Sequence, residues 1–128
     1  MKLLLLLLAL SGAAVAAPSP EPVPADSKGA SQAAIAAALN REGVDLMFKN
    51  KYAEASAKFR EAVARVPEAR YFFNLGMSLF QEGKFDEALT ACKAVLSNSP
   101  AADLKVKAEK LIARIRDEAK SQNVTLHE

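Results

Sequence analysis

The sequence predicts an all-α fold, a short α-solenoid of helix–turn–helix pairs, and three observations carry that prediction. Beyond the first thirty residues alanine, leucine, lysine, arginine and glutamate dominate, which favours helix over strand. The same stretch repeats itself. Gly43 and Gly76, Leu46 and Leu79, Lys51 and Lys84, Tyr52 and Phe85, Glu54 and Glu87, Ala55 and Ala88, and Pro67 and Pro100 all share one offset of 33 residues. A period of that size in a helical chain belongs to helical pairs stacked side by side. Finally, Leu104, Ala108, Leu111, Ile112 and Ile115 form an apolar stripe at helical spacing, and lysines and arginines occupy the remaining surface. They predict one more helix over about residues 102–120, with Asp103 as its cap.

The chain opens on Lys2, a leucine-rich run from Leu3 to Leu10, the helix-loosening Ser11-Gly12 pair and then small residues, the three-part layout of a secretory signal peptide. Ala14 and Ala16 supply the small side chains a signal peptidase needs, so residues 1–16 are expected to be removed after Ala16. The apolar run falls short of the roughly 20 residues of a membrane span, so no stable span is expected after cleavage. No cysteine follows it to carry a lipid anchor. A periplasmic or secreted location follows as an expectation.

Pro18, Pro20, Pro22 and Pro24 alternate through the next segment. Proline at every second position removes amide donors and favours an extended, stiff tether, so residues 17–30 are read as a Pro-rich disordered linker. The helical domain is placed at residues 31–121, with repeats at about 36–68 and 69–102, and residues 122–128 are read as a flexible tail.

Each recurring residue has a physical reason to be where it is. Gly43 and Gly76 fall inside a helix, where glycine costs about 1 kcal/mol relative to alanine, and that cost makes sense where a second helix crosses too closely for a side chain. Ala55 and Ala88 are the matching small residues on the second helices. Asn50-Lys51 and Gly83-Lys84 supply the tight turns, Tyr52 and Phe85 cover the edge of each pair, and Pro67 and Pro100 stop the second helices.

Those residues resemble tetratricopeptide repeats. Phe72-Phe73-Asn74-Leu75-Gly76, Leu79, Gly83, Phe85, Glu87-Ala88-Leu89 and Pro100 make a nearly complete repeat. Leu39, Gly43, Leu46, Tyr52, Glu54-Ala55, Phe59, Ala62 and Pro67 make an earlier one. The resemblance implies two such repeats plus a closing helix, a short right-handed α-solenoid at the lower size limit for a stable stack. Glu42 departs from the pattern where Leu75 stands in the second repeat, and Cys92 departs where the first has Phe59.

The chemical inventory points away from catalysis. The single histidine, His127, lies beside the chain end, where no fixed partner is expected. The five glycines are isolated and form no phosphate loop, and no serine or cysteine has a base near it in sequence. Glu42 with Asp45, and Asp86 with Glu87, have the spacings of solvated helix faces. Cys92 falls on an apolar stripe with Leu89, Val95 and Leu96, as a buried, inert thiol would. No metal and no cofactor is expected. The formal charge of +2, nearer +1 once Lys2 leaves, and the acidic residues interrupting the last helix argue against nucleic acid as a partner.

In tetratricopeptide arrays the first helix of each pair lines a concave groove. The resemblance therefore places Asn40, Val44 and Met47, with Phe48 next to them, and Arg70, Phe73, Asn74, Met77 and Phe80 on that face, joined by Lys107 from the closing helix. Both methionines of the domain fall there, and methionine suits irregular apolar partners. Two readings of Val44, Met47, Phe73, Met77 and Phe80 stand side by side: a strip that receives an apolar helix or extended peptide, or side chains that pack on the closing helix or the turns of residues 31–38. The chain is accordingly expected to be a non-enzymatic scaffold that binds a protein or peptide of the cell envelope. A self-associating homodimer is the second expectation, and a small enzyme with an unrecognised site the third.

Overall fold

The computed structural model describes residues 27–128, so the signal-peptide reading and most of the linker reading lie outside the described residues. Five α-helices follow one another: α1 (Ser27–Phe48), α2 (Tyr52–Arg65), α3 (Ala69–Gln81), α4 (Phe85–Ser97) and α5 (Ala102–Ser121). Each packs on the next, while α3 also touches α1 and α5. The result is two antiparallel pairs side by side, α1/α2 and α3/α4, with α5 laid along the second: an all-α solenoid of two repeats and a closing helix.

The turns inside the two pairs are built alike. Asn50 (φ 57°) and Gly83 (φ 75°) adopt the left-handed conformation two residues past the last helical residue. The Lys51 amide then donates to Leu46 O at 2.9 Å and the Asn50 amide to Met47 O at 3.0 Å. In the second turn the Lys84 amide donates to Leu79 O at 2.9 Å and the Gly83 amide to Phe80 O at 3.0 Å. This pattern satisfies carbonyls the helix would otherwise leave without partners, and only glycine or asparagine enters it at little steric cost. Asn123 (φ 55°) repeats it after α5, with the Val124 amide donating to Ala119 O at 2.8 Å.

The crossing inside each pair is as close as the glycines imply. A methyl group on Gly43 would lie 2.5 Å from the Phe59 ring, and one on Gly76 would lie 2.9 Å from Cys92 Sγ. Phe59 and Cys92 occupy the same repeat position and are fully buried. The glycine is thus the socket and the residue on the second helix the plug, a large one in the first repeat and a small one in the second. The main core forms around them from Ala55, Leu79, Ala88, Leu111 and Ile115. Each fully buried large side chain contributes roughly 1.5–3 kcal/mol.

Between the repeats the contact is partly polar. Ser56 on α2 and Ser78 on α3 are both fully buried, with oxygens 2.8 Å apart. Ser56 donates to Glu82 Oε2 at 2.5 Å and Ser78 to the Leu75 carbonyl at 2.9 Å. Three close contacts share two hydroxyl hydrogens, and Lys84 approaches the Glu82 carboxylate at 3.4 Å. Among the described residues no buried side-chain nitrogen or oxygen lacks a partner.

Three expectations are corrected. First, α1 begins at Ser27, so the last four linker residues are helical: they run into the alanine-rich stretch that follows, and Gly29 alone does not break the helix. Second, α5 starts one residue before Asp103, with Ala101 at the cap position and no side-chain cap bond. Asp103 instead sits in the first turn, where a carboxylate favours the helix dipole, 3.9 Å from Lys107. Third, the stretch read as a flexible tail folds back. The turn at Asn123 redirects it, Leu126 packs on the main core, the His127 amide and ring nitrogen Nδ1 both meet Asp86 at 2.8 Å, and Glu128 reaches Arg116 at 2.5 Å. The lone histidine therefore has a fixed partner, supplied by the acidic first turn of α4.

The crossing makes a prediction. Gly43→Ala should cost about 1–3 kcal/mol by overpacking, measured by urea denaturation. Shortening the plug in the same chain (Phe59→Leu) should recover part of that loss, so the double variant is more stable than the two single losses added. A Gly43→Ala chain as stable as the parent would overturn the account.

Candidate functional site

The same face of α1 and α3 meets the start of α5 to form a trough with two cavities. One, of about 320 Å³, is walled by Val44, Met47, Phe73, Asn74 and Met77, together with Phe48, Tyr52 and Gln81. The other, of about 730 Å³, opens between the α2–α3 and α4–α5 connections and includes Arg70, Phe73, Asn74 and Lys107. Phe73 and Asn74 border both, so the trough is continuous. Asn40 ties its floor together by accepting a 2.7 Å hydrogen bond from the Asn74 side chain across α1 and α3.

Of the nine residues the sequence places on this face, five surround the smaller cavity, four border the larger, with Phe73 and Asn74 in both, and Asn40 lies between. Phe80 departs from the set. Its ring lies 6.1 Å from that of Phe85, and the Arg114 guanidinium of α5 covers it at 5.1 Å, so it belongs to the seam under the closing helix and lines neither cavity. Val44, Met47, Phe73 and Met77 are half-buried, resting on the main core below and open to the trough above. For these four, packing on the core and facing the trough go together. Tyr52 and Gln81 were not among the residues expected. Gln81 stands 33 residues after Phe48, so the repeat itself carried a signal for it. Tyr52 was read as edge cover; its hydroxyl donates to Asn50 Oδ1 at 2.8 Å while its ring walls the cavity.

The two cavities differ in charge. In the larger, Arg70 pairs with Glu68 at 3.0 Å and Lys107 with Asp103 at 3.9 Å, so each cation has a carboxylate beside it. The smaller has no acidic or basic side chain in its wall. Two of the carboxylates on those solvated helix faces hold cations: Glu42 meets Lys58 at 2.9 Å, and Glu87 pairs with Arg60. Burial pushes the Cys92 thiol up to about 12, so at neutral pH it is protonated and a poor nucleophile. Among the described residues no group of three histidine, cysteine or acidic side chains could hold a metal ion, and no helix is long and apolar enough to cross a membrane.

Paired helices with close glycine crossings, matching left-handed turns and a trough along the first helices define a helical-hairpin repeat protein. Residues 40–103 match the sequence profile of the tetratricopeptide repeat, and the chain belongs to that family. No curated protein and no solved structure gives a significant match. Repeats of this kind generally mediate protein–protein interaction and are typically non-enzymatic.

The returning tail responds to acid in a predictable direction. Asp86 is held below the ordinary carboxylate range, chiefly by the hydrogen bond to the His127 ring and then by the His127 amide. Glu128 is held low by Arg116. A depressed carboxyl favours the attached tail above its ordinary value, and that preference is lost as pH falls through the depressed one. As the pH falls through and below the ordinary carboxylate range, about 4, the His127 amide resonance should therefore move toward its random-coil position before the helices melt. An amide shift constant across that range would refute the clasp.

Proposed function

We propose that this chain is a non-enzymatic binding module of the cell envelope that receives an apolar helix or extended peptide of an envelope protein in the trough between α1, α3 and α5. The observation that carries the reading is the smaller cavity: an uncharged hollow of about 320 Å³ walled by Val44, Met47, Phe73 and Met77 and open to solvent. An open apolar hollow on a small domain is a normal signature of an interaction site, and two methionines give it adaptable walls. The larger cavity continues the trough past Arg70 and Lys107, where a partner's polar groups would find both signs of charge.

The envelope part of the reading rests on residues 1–16, whose basic start, leucine run and small-residue end suit a cleaved export signal of an exported bacterial protein. Residues 17–26 then act as a spacer. Sequencing the amino terminus of the chain recovered from cell fractions tests this: the expected product begins at Ala17 and lies in the periplasm or the medium. An intact Met1 terminus in the cytoplasmic fraction would refute export.

A photo-crosslinking residue in place of Met77 tests the trough. It should capture an envelope protein in the cell, and Val44→Ser with Met47→Ser in the same crosslinking chain should abolish capture while leaving the helical spectrum intact. Phe80→Ser should behave differently, destabilising the fold by about 2 kcal/mol, because its ring is covered by Arg114. Capture that survives the Val44 and Met47 changes would refute the trough as the binding surface.

A further inference from the structure

Phe48 is the last residue of α1 and is 84% exposed, the most exposed large apolar side chain among the described residues. The repeat does not require it, since the equivalent position in the second repeat is the polar Gln81. Its backbone is fixed by the left-handed turn that follows, where the Lys49 amide donates to Leu46 O at 3.1 Å and the Asn50 amide to Met47 O at 3.0 Å. The ring is thus an ordered apolar projection on the lip of an apolar hollow.

We propose that two copies of this chain associate about a two-fold axis, with Phe48 of each entering the Val44–Met47–Phe73–Met77 cavity of the other. The inference rests on reading the trough as a binding surface, and it names one occupant of it. Three observations favour a second copy. Projection and hollow lie on one patch, the condition for a two-fold contact in which each copy gives and receives the same group. The hollow, at about 320 Å³, is roomy enough for a phenyl ring, given that an apolar cavity of ~150 Å³ binds benzene. The wall carries no ionised side chain, so an entering ring meets no charge inside the hollow. The larger cavity, with Glu68, Arg70, Asp103 and Lys107 in its wall, lacks that advantage.

The area involved sets the strength. Two aromatic rings remove roughly 150–250 Å² each from water, well below the ~800 Å² per partner of a standard stable interface. The dimer is therefore concentration-dependent, and a tighter-binding peptide displaces it, so self-association keeps the hollow covered until a partner arrives.

Sedimentation velocity on the chain, purified as the cell processes it, tests this over about 1–500 μM, a range chosen for weak association. The expected result is a monomer–dimer exchange that Phe48→Asp weakens roughly thirtyfold or more, with an unchanged helical spectrum because the side chain is exposed. Methyl resonances of Met47 and Met77 should shift with concentration in the parent and stay fixed in the Phe48→Asp chain. A monomer at every concentration overturns the proposal, as does a dimer indifferent to Phe48→Asp or methyl groups that never move. The failure of the wider reading looks different. A Met77 crosslinker that captures only copies of this chain removes the envelope partner and keeps the dimer, whereas capture of an envelope protein by a strictly monomeric chain does the reverse.

Discussion

The closeness of the two helices within each repeat is the constraint from which the rest of the architecture follows. Gly43 sits against the Phe59 ring and Gly76 against Cys92 Sγ, at distances where no other residue could carry its Cβ unmoved. Because the pair closes there, Ala55 and Ala88 can be small and fully buried, and the left-handed turns at Asn50 and Gly83 suffice to connect the helices. Phe59 also borders the smaller cavity, so the plug that fills the first crossing forms part of the wall of the trough. Repeat packing and the candidate site thus share one side chain.

A two-repeat stack must also deal with its ends, since a repeat alone cannot bury both faces. At the first end no repeat precedes α1 among the described residues. Glu42 therefore needs no apolar environment where Leu75 needs one: it stays exposed and meets Lys58, while Leu75 is buried in the main core. At the other end α5 lies along α3 and α4, and the segment after Asn123 bends back so that Leu126 reaches the core and His127 and Glu128 hold α4 and α5. The joint between the repeats has a different character again. The buried Ser56, Ser78 and Glu82 contact has directional requirements that an apolar joint lacks, and it fixes how α2 slides on α3.

What the sequence disclosed and what it hid divide along physical lines. Helix boundaries inside the repeats, both turns and the glycine crossings were legible because each depends on a local rule: helical spacing, a left-handed residue, a missing side chain. The 33-residue offset then applied each rule twice. The serine pair was hidden because Ser56 and Ser78 are 22 residues apart and hold unmatched positions in their repeats, so periodicity says nothing about their meeting. The tail was hidden for a similar reason. Residues 124–128 are too short to show a periodicity, and only the fold brings Asp86, 41 residues away in sequence, to His127. Phe80 shared the spacing of the trough residues, but spacing cannot report where α5 lies across α3, and that crossing places Arg114 over its ring.

The half-buried state of Val44, Met47, Phe73 and Met77 couples recognition to stability in a way neither reading of the sequence anticipates alone. These side chains rest on the core cluster from above, so whatever fills the cavity also covers part of that core from water. An occupant that binds only the folded chain raises its stability by mass action, with no change in any helix. Each end is closed by modest means, one by α5 with a short clasp, while at the other the exposed Glu42–Lys58 ion pair is of small individual worth. A stack of this length is therefore expected to be more stable with its trough occupied than empty, and the groups that recognise a partner are those whose burial the fold leaves unfinished.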